Sequence, residues 1–320
     1  MRNAFLNGPM RMYERMKTPK LPVDMQVKRL KARGVKFAFM SERETVHYLE
    51  TNHNIFKLQE FERLFPQRAD GTFVDLDFGY LRDLYNIDMR LRNVLLIMCM
   101  EVEHHAKLLL MKAFSLSLED GYAVITDFEA ENGARVGAAY QAAQKDAARS
   151  PLLSGDSGLL PIWTFIEIID FALFVRFFCF FARRLLDREL IDESYRLMSV
   201  AELRGSLSQN RPLLSRLSYK TQYRPNYAVL RTLGNLPLSK SARKHKMRCD
   251  TLRQIVTLLY VYASVVPVSD TRTDLEIALR AVSLRAGRHL HFYERTPKIH
   301  TSLSFLCGCI DNMFPKRYTY

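Results

Sequence analysis

The chain has 320 residues, 48% of them hydrophobic and 25% charged, which excludes a disordered, collagenous or low-complexity protein and is enough to bury one large core or two modest ones. Twelve prolines and 13 glycines are few for this length, favouring helices over the turn-rich sandwich or barrel, and the five scattered cysteines imply no disulfide framework and point to the reducing cytoplasm. The net charge of +13 is segregated: residues 1–36 hold ten bases against Glu14 and Asp24, and residues 203–253 hold twelve against Asp250 alone, on a body that is otherwise mildly acidic. Such segregation is the electrostatic footprint of a polyanion binder.

Residues 1–20 read as a basic tail. Met1–Lys20 lacks the apolar stretch of a secretory signal, and Gly8-Pro9 also spoils an amphipathic transit helix. A short amphipathic helix follows Pro22 and ends at Gly34, and Ser41-Glu-Arg-Glu44 is a capping box opening a second helix. Phe73–Phe114 carries the strongest helical pattern. Asp77 is placed to cap it, Leu91, Leu95, Met98, Val102 and Leu109 form its apolar stripe, and Glu103 and Lys107 stand at ion-pair spacing. Gly133–Arg149 reads as helical and Ser150–Gly158 as a loop. Leu159–Ala182 has the length and apolarity of a membrane span. Glu167, Asp170 and Arg176 in its middle, at roughly 2.5–3.5 kcal/mol each, argue instead for a core helix over Ile162–Leu186 with Glu167 and Asp170 on one polar face. Helices are expected near Ile191–Leu197, from about Val200, over Thr251–Ser264 and over Asp274–Leu284. The fold class is all-α.

Within the second basic segment Tyr219, Tyr223 and Tyr227 recur every four residues among Arg216, Lys220 and Arg224. Two readings fit. The rings stack on unpaired bases while the cations hold phosphate, or they form a core stripe at helical spacing, against which Pro225 argues. Arg211, Lys240, Arg243, Lys244, Lys246 and Arg248 complete the candidate RNA-binding set.

Four stretches in order carry a family resemblance: LKARGV with HYLETNHNIFKL; FGYLRDLYNIDMRLRNVLL with CMEVEHHAKLLL; LPIWTFIEIIDFA; and VAELRGSLSQNRPLL. Together they resemble the abortive-infection (Abi-like, AbiD/AbiF) family of bacterial phage-defence proteins, with Ala172 where glycine is usual. The resemblance implies a HEPN-like helical bundle, a homodimer, and metal-independent cleavage or binding of RNA with no cofactor. It divides the chain into the tail at 1–20, an N-terminal helical segment at 21–72, a HEPN-like core at 73–220, and a basic linker with C-terminal helical extension at 221–320.

The family's chemistry uses an R-x4-H motif, in which histidine moves a proton and arginine steadies the phosphate. Carried over, Arg204 is the arginine, Gly205 its neighbour, and Gln209 stands where histidine is expected. An amide cannot exchange a proton near neutrality. The resemblance therefore implies a phage-defence protein that grips RNA, with Asn210 and Arg211 assisting and Glu103, Lys107 and Glu167 supporting the site, but lacks the ribonuclease histidine. Two alternatives stay open: an active ribonuclease toxin using a displaced acid/base (His104, His105 or His300), and a protein–protein adaptor. The literal Arg295-x4-His300 pair is interrupted by Pro297 and is expected by chance in so arginine-rich a chain. His289-Leu-His291 and Cys307-Gly-Cys309 lack the spacing of zinc modules, and no nucleotide-binding or hydrolase motif occurs.

Overall fold

The computed structural model describes residues 21–52, 54–146 and 160–315. The tail at 1–20 and the loop expected at Ser150–Gly158 lie outside the described residues. Among those residues the chain is all-α: thirteen helices, with isolated bridges in place of strands. All five cysteines are free thiols. Contacts divide the chain into two compact units, 1–84 and 85–320.

The first unit holds α1 (Val23–Ala32), α2 (Glu42–Thr51), α3 (Ile55–Glu62) and the opening turns of α4 (Phe78–Ser115). α1 stops where the sequence indicates. Gly34 has φ +81° and its missing Cβ would lie 3.3 Å from the Phe73 carbonyl, so both the turn and the close approach require glycine. The capping box at Ser41 and Glu44 is formed in both directions. Asp77 accepts the Gly79 and Ala38 N–H groups, each at 2.7 Å, and so caps α4. α4 begins at Phe78 and not at Phe73. The intervening residues lie alongside 33–36, with Phe73 N–H donating to Arg33 O and Phe78 N–H to Lys36 O.

The second unit contains the rest of α4, then α5 (Ala123–Lys145), α6 (Ile162–Ile168), α7 (Phe171–Arg184), α8 (Arg188–Ser208), α9 (Tyr227–Thr232), α10 (Lys240–Lys246), α11 (Asp250–Val265), α12 (Asp270–Arg288) and α13 (Pro297–Met313). α8 packs on α7 and on α11. Phe171, Phe174, Phe177, Phe178 and Phe181 of α7 are buried, and Phe128, Phe165 and Phe177 meet edge to face with centroids 5.2–5.9 Å apart. Each buried ring contributes about 1.5–3 kcal/mol, so this cluster fixes the wall on which α8 rests.

Several boundaries depart from the pattern-based expectation. The apolar stretch is two helices, because Ile169 is extended and the Asp170 carboxylate accepts Leu173 N–H, starting α7 afresh. Glu167 and Asp170 consequently do not share one helix face. Its charges and this break agree with a further fact: no helix among the described residues is long and apolar enough to cross a membrane. α5 starts before Gly133, at Ala123, and kinks at Asn132, whose side chain donates to Phe128 O. The two helices expected around Ile191 and Val200 are the single helix α8. Pro297 does not break a helix but opens α13, where its missing N–H costs nothing.

Candidate nucleic-acid interface

The second unit brings two sets of polar groups onto α8 and the chain that leaves it. At the end of α8, Gln209 is the exposed C-cap residue and Asn210 adopts φ +52°. The turn that follows is held from α4. Asp88, fully buried, accepts Leu213 N–H at 2.8 Å and Leu214 N–H at 2.7 Å, and pairs with Arg92 Nε at 2.7 Å. Arg92 Nη1 in turn donates to the Asn210 side chain. Burial pushes the Asp88 carboxyl up, against the pull of these donors. Sequence reasoning missed Asp88 and Arg92, although their i, i+4 spacing within an otherwise apolar helix was the available signal.

Just over one turn before that end, Arg204 Nη2 lies 2.9 Å from Glu103 of α4, and its guanidinium sits over the Phe171 ring at 5.6 Å. Lys107, one turn beyond Glu103, reaches Glu167 of α6 at 3.1 Å. Glu103 and Lys107 thus engage different helices and not each other, correcting the intrahelical pair expected from their spacing. Arg204 is already neutralised here, so a phosphate reaching it must compete with a carboxylate.

The basic segment opens immediately after the Asp88-held turn. Two backbone bonds join its halves: Thr221 N–H donates to Arg248 O at 2.8 Å and Asp250 N–H to Tyr219 O at 3.0 Å. Lys220 and Cys249 are therefore directly opposed, and residues at 219–223 share a surface with the end of α10. The tyrosines are not a core stripe. Residues 217–226 are non-helical, and Tyr219, Tyr223 and Tyr227 are 49%, 56% and 79% exposed. Arg216 lies over the Tyr219 ring at 5.5 Å and Arg253 over Tyr223 at 5.3 Å. Arg253 is held by Asp250, Glu202 and Ser199. Since Glu202 and Arg204 are two residues apart on α8, about 200° around the helix, the tyrosine surface and Arg204 use opposite faces.

Two further bases of the segment have hydrogen-bond partners within the fold. Arg243 donates to the carbonyls of Gly234, Leu236 and Leu238, and Lys246 to the Thr301 and Ser302 hydroxyls. Arg211, Lys220, Arg224, Lys240, Lys244 and Arg248, with Arg231, are exposed and form no ion pair among the described residues.

His104 follows Glu103 on α4 and is exposed beside His105, their rings 5.0 Å apart. Burial and then His104 hold His105 below its ordinary value. His105 lines a cleft of about 630 Å³ with Glu189, Glu193 and Arg196, roughly two turns of α8 from Arg204. His300 lies in the first turns of α13, while Arg295 precedes that helix. His289 and His291 have rings 6.0 Å apart, Cys307 Sγ donates to Ser283 O, and no group of three or more metal-ligating side chains gathers among the described residues.

No curated protein and no solved structure matches the chain. Apart from LKARGV at the end of α1, the resembling stretches lie within residues 47–224, which the family model described as Abi-like protein matches, and the chain belongs to that family.

Proposed function

We propose that this abortive-infection type protein acts in phage defence by binding RNA, and that its HEPN-type centre at Arg204 does not cut what is bound. The observation that carries the reading is the strapped basic loop. Exposed Tyr219 and Tyr223 alternate with Lys220 and Arg224 and face Arg248 across two backbone bonds. Stacking gives such a surface affinity for unpaired bases, and the unpaired cations gain free energy by releasing counterions from the phosphates. Asp88 and Arg92 serve as positioning residues, since they fix the turn from which the loop departs.

Two features support the absence of cleavage. Gln209 offers an amide where proton transfer is required, and Arg204 is engaged by Glu103. The reading includes a cytoplasmic homodimer whose two Arg204 centres share one groove. Fluorescence anisotropy with a labelled single-stranded RNA tests it. With seven unpaired bases in the loop segment, log K should fall against log salt with a slope of about −5. A slope near zero would favour the adaptor reading.

A further inference from the structure

Beside the loop, Lys246 of the basic segment and Lys298 of α13 both bind neutral hydroxyls. Lys298, in the first turn of α13, donates to the Ser218 hydroxyl at 2.9 Å. Lys246, at the end of α10, donates to Thr301 Oγ1 at 2.6 Å, and Thr301 lies one turn beyond Lys298 on the same side of α13. Cys249 N–H donates to Lys246 O, and Cys249 opposes Lys220 across a backbone bridge to the loop. The end of α10 and the loop are thus each tied to the first turns of α13 by a lysine, and exposed Tyr219 follows Ser218 in the chain.

Electrostatically the arrangement is incomplete. Lys246 and Lys298 make no ion pair among the described residues, their bonds go only to neutral hydroxyls, and the first turn of α13 contains no acidic residue. Lys246 is half-buried, and burial pulls its ammonium below the ordinary value. Desolvating an unpaired ammonium is costly, and a multiply charged anion with several acceptor oxygens offsets that cost best.

We propose that Lys246 and Lys298 receive a terminal phosphomonoester of the bound RNA, with the terminal base against Tyr219. The inference rests on the RNA-binding reading above. An internal phosphodiester carries a single charge and is flanked by sugar on both sides, whereas a terminal phosphate carries about −1.5 to −2 and three free oxygens. Half-buried Lys246 is reached by a chain end more readily than by a strand crossing the surface. The Ser218 hydroxyl, which accepts from Lys298, keeps its own proton to donate, whereas the Thr301 hydroxyl is committed to Pro297 O.

The full-length protein is titrated with one labelled oligoribonucleotide in three forms: 5′-phosphate, 3′-phosphate, and hydroxyl at both ends. One phosphorylated form should bind about tenfold tighter than the hydroxyl form, identifying the end that is read. Lys298→Ala, an exposed substitution, should remove that preference while the hydroxyl form binds as it does to the wild type. Equal affinity for all three forms overturns the inference and leaves RNA binding standing. A preference that survives Lys298→Ala also overturns it. Failure of every form to bind refutes the RNA-binding reading itself, and the inference with it.

Discussion

Replacing Asp88 by alanine is the sharpest perturbation of the framework behind the RNA surface. The carboxylate is fully buried, and its loss strands three donors: Leu213 N–H, Leu214 N–H and the Arg92 guanidinium, itself 5% exposed. Breaking a buried ion pair by deleting one partner costs roughly 3–5 kcal/mol, and each orphaned buried N–H adds about 1–3 kcal/mol where no water replaces the lost acceptor. A loss of at least about 3 kcal/mol is a large share of the 5–15 kcal/mol typical of a folded protein. Guanidinium denaturation followed by circular dichroism would read it as a lower midpoint with an unchanged slope. The double variant Asp88→Leu/Arg92→Met removes both charges together and should cost less than Asp88→Ala alone, because no buried cation is left unpaired. RNA affinity should fall in the single variant even at temperatures where it is fully folded, since the turn at 209–214 loses its anchor. A cost below about 1 kcal/mol, or strict additivity of the two sites, would refute the reasoning.

Other consequences can be checked alongside. Tyr219→Ala and Tyr223→Ala should each weaken RNA binding by about 1–3 kcal/mol in anisotropy titrations while leaving the melting temperature within a degree or two, because both rings are exposed. Glu103→Gln removes the charge competing for Arg204 and should tighten RNA binding, an effect abolished in the Glu103→Gln/Arg204→Ala double variant. Burial outweighs the Arg33 pair and raises the Glu62 carboxyl above 4.5. Folding therefore favours its protonated form, so this group's contribution to stability is present below pH 4.5 and is lost as pH rises through the folded value; Glu62→Gln should flatten that part of the stability–pH curve.

How far the sequence discloses the molecule depends on the interaction involved. Local signals are legible: Gly34 ends α1, Ser41 and Glu44 form their box, and Asp77 caps α4, since each is settled by a few neighbouring residues. Apolar periodicity finds the long helices but misplaces the break at Asp170, because an acidic residue within an apolar run reads equally as a polar stripe or as a cap. Tertiary pairing is not legible. The spacing of Glu103 and Lys107 suggests a partnership within α4, yet longer-range geometry gives them Arg204 and Glu167. The tyrosine spacing was ambiguous for the same reason, since a period of four describes a helix face or a coincidence in a loop. Lys298 carried no signal at all, its place beside Ser218 and Lys246 being set by the return of α13 onto the loop.

The central claim is gripping without cutting. The most direct measurement incubates the purified protein with end-labelled total RNA in EDTA at low salt, following complex formation on a native gel and chain length on a denaturing gel. The account predicts a shifted complex that dissolves as salt rises, with the RNA recovered at full length. Shortened RNA that disappears with Arg204→Ala, or no shifted complex at any salt concentration, would contradict it.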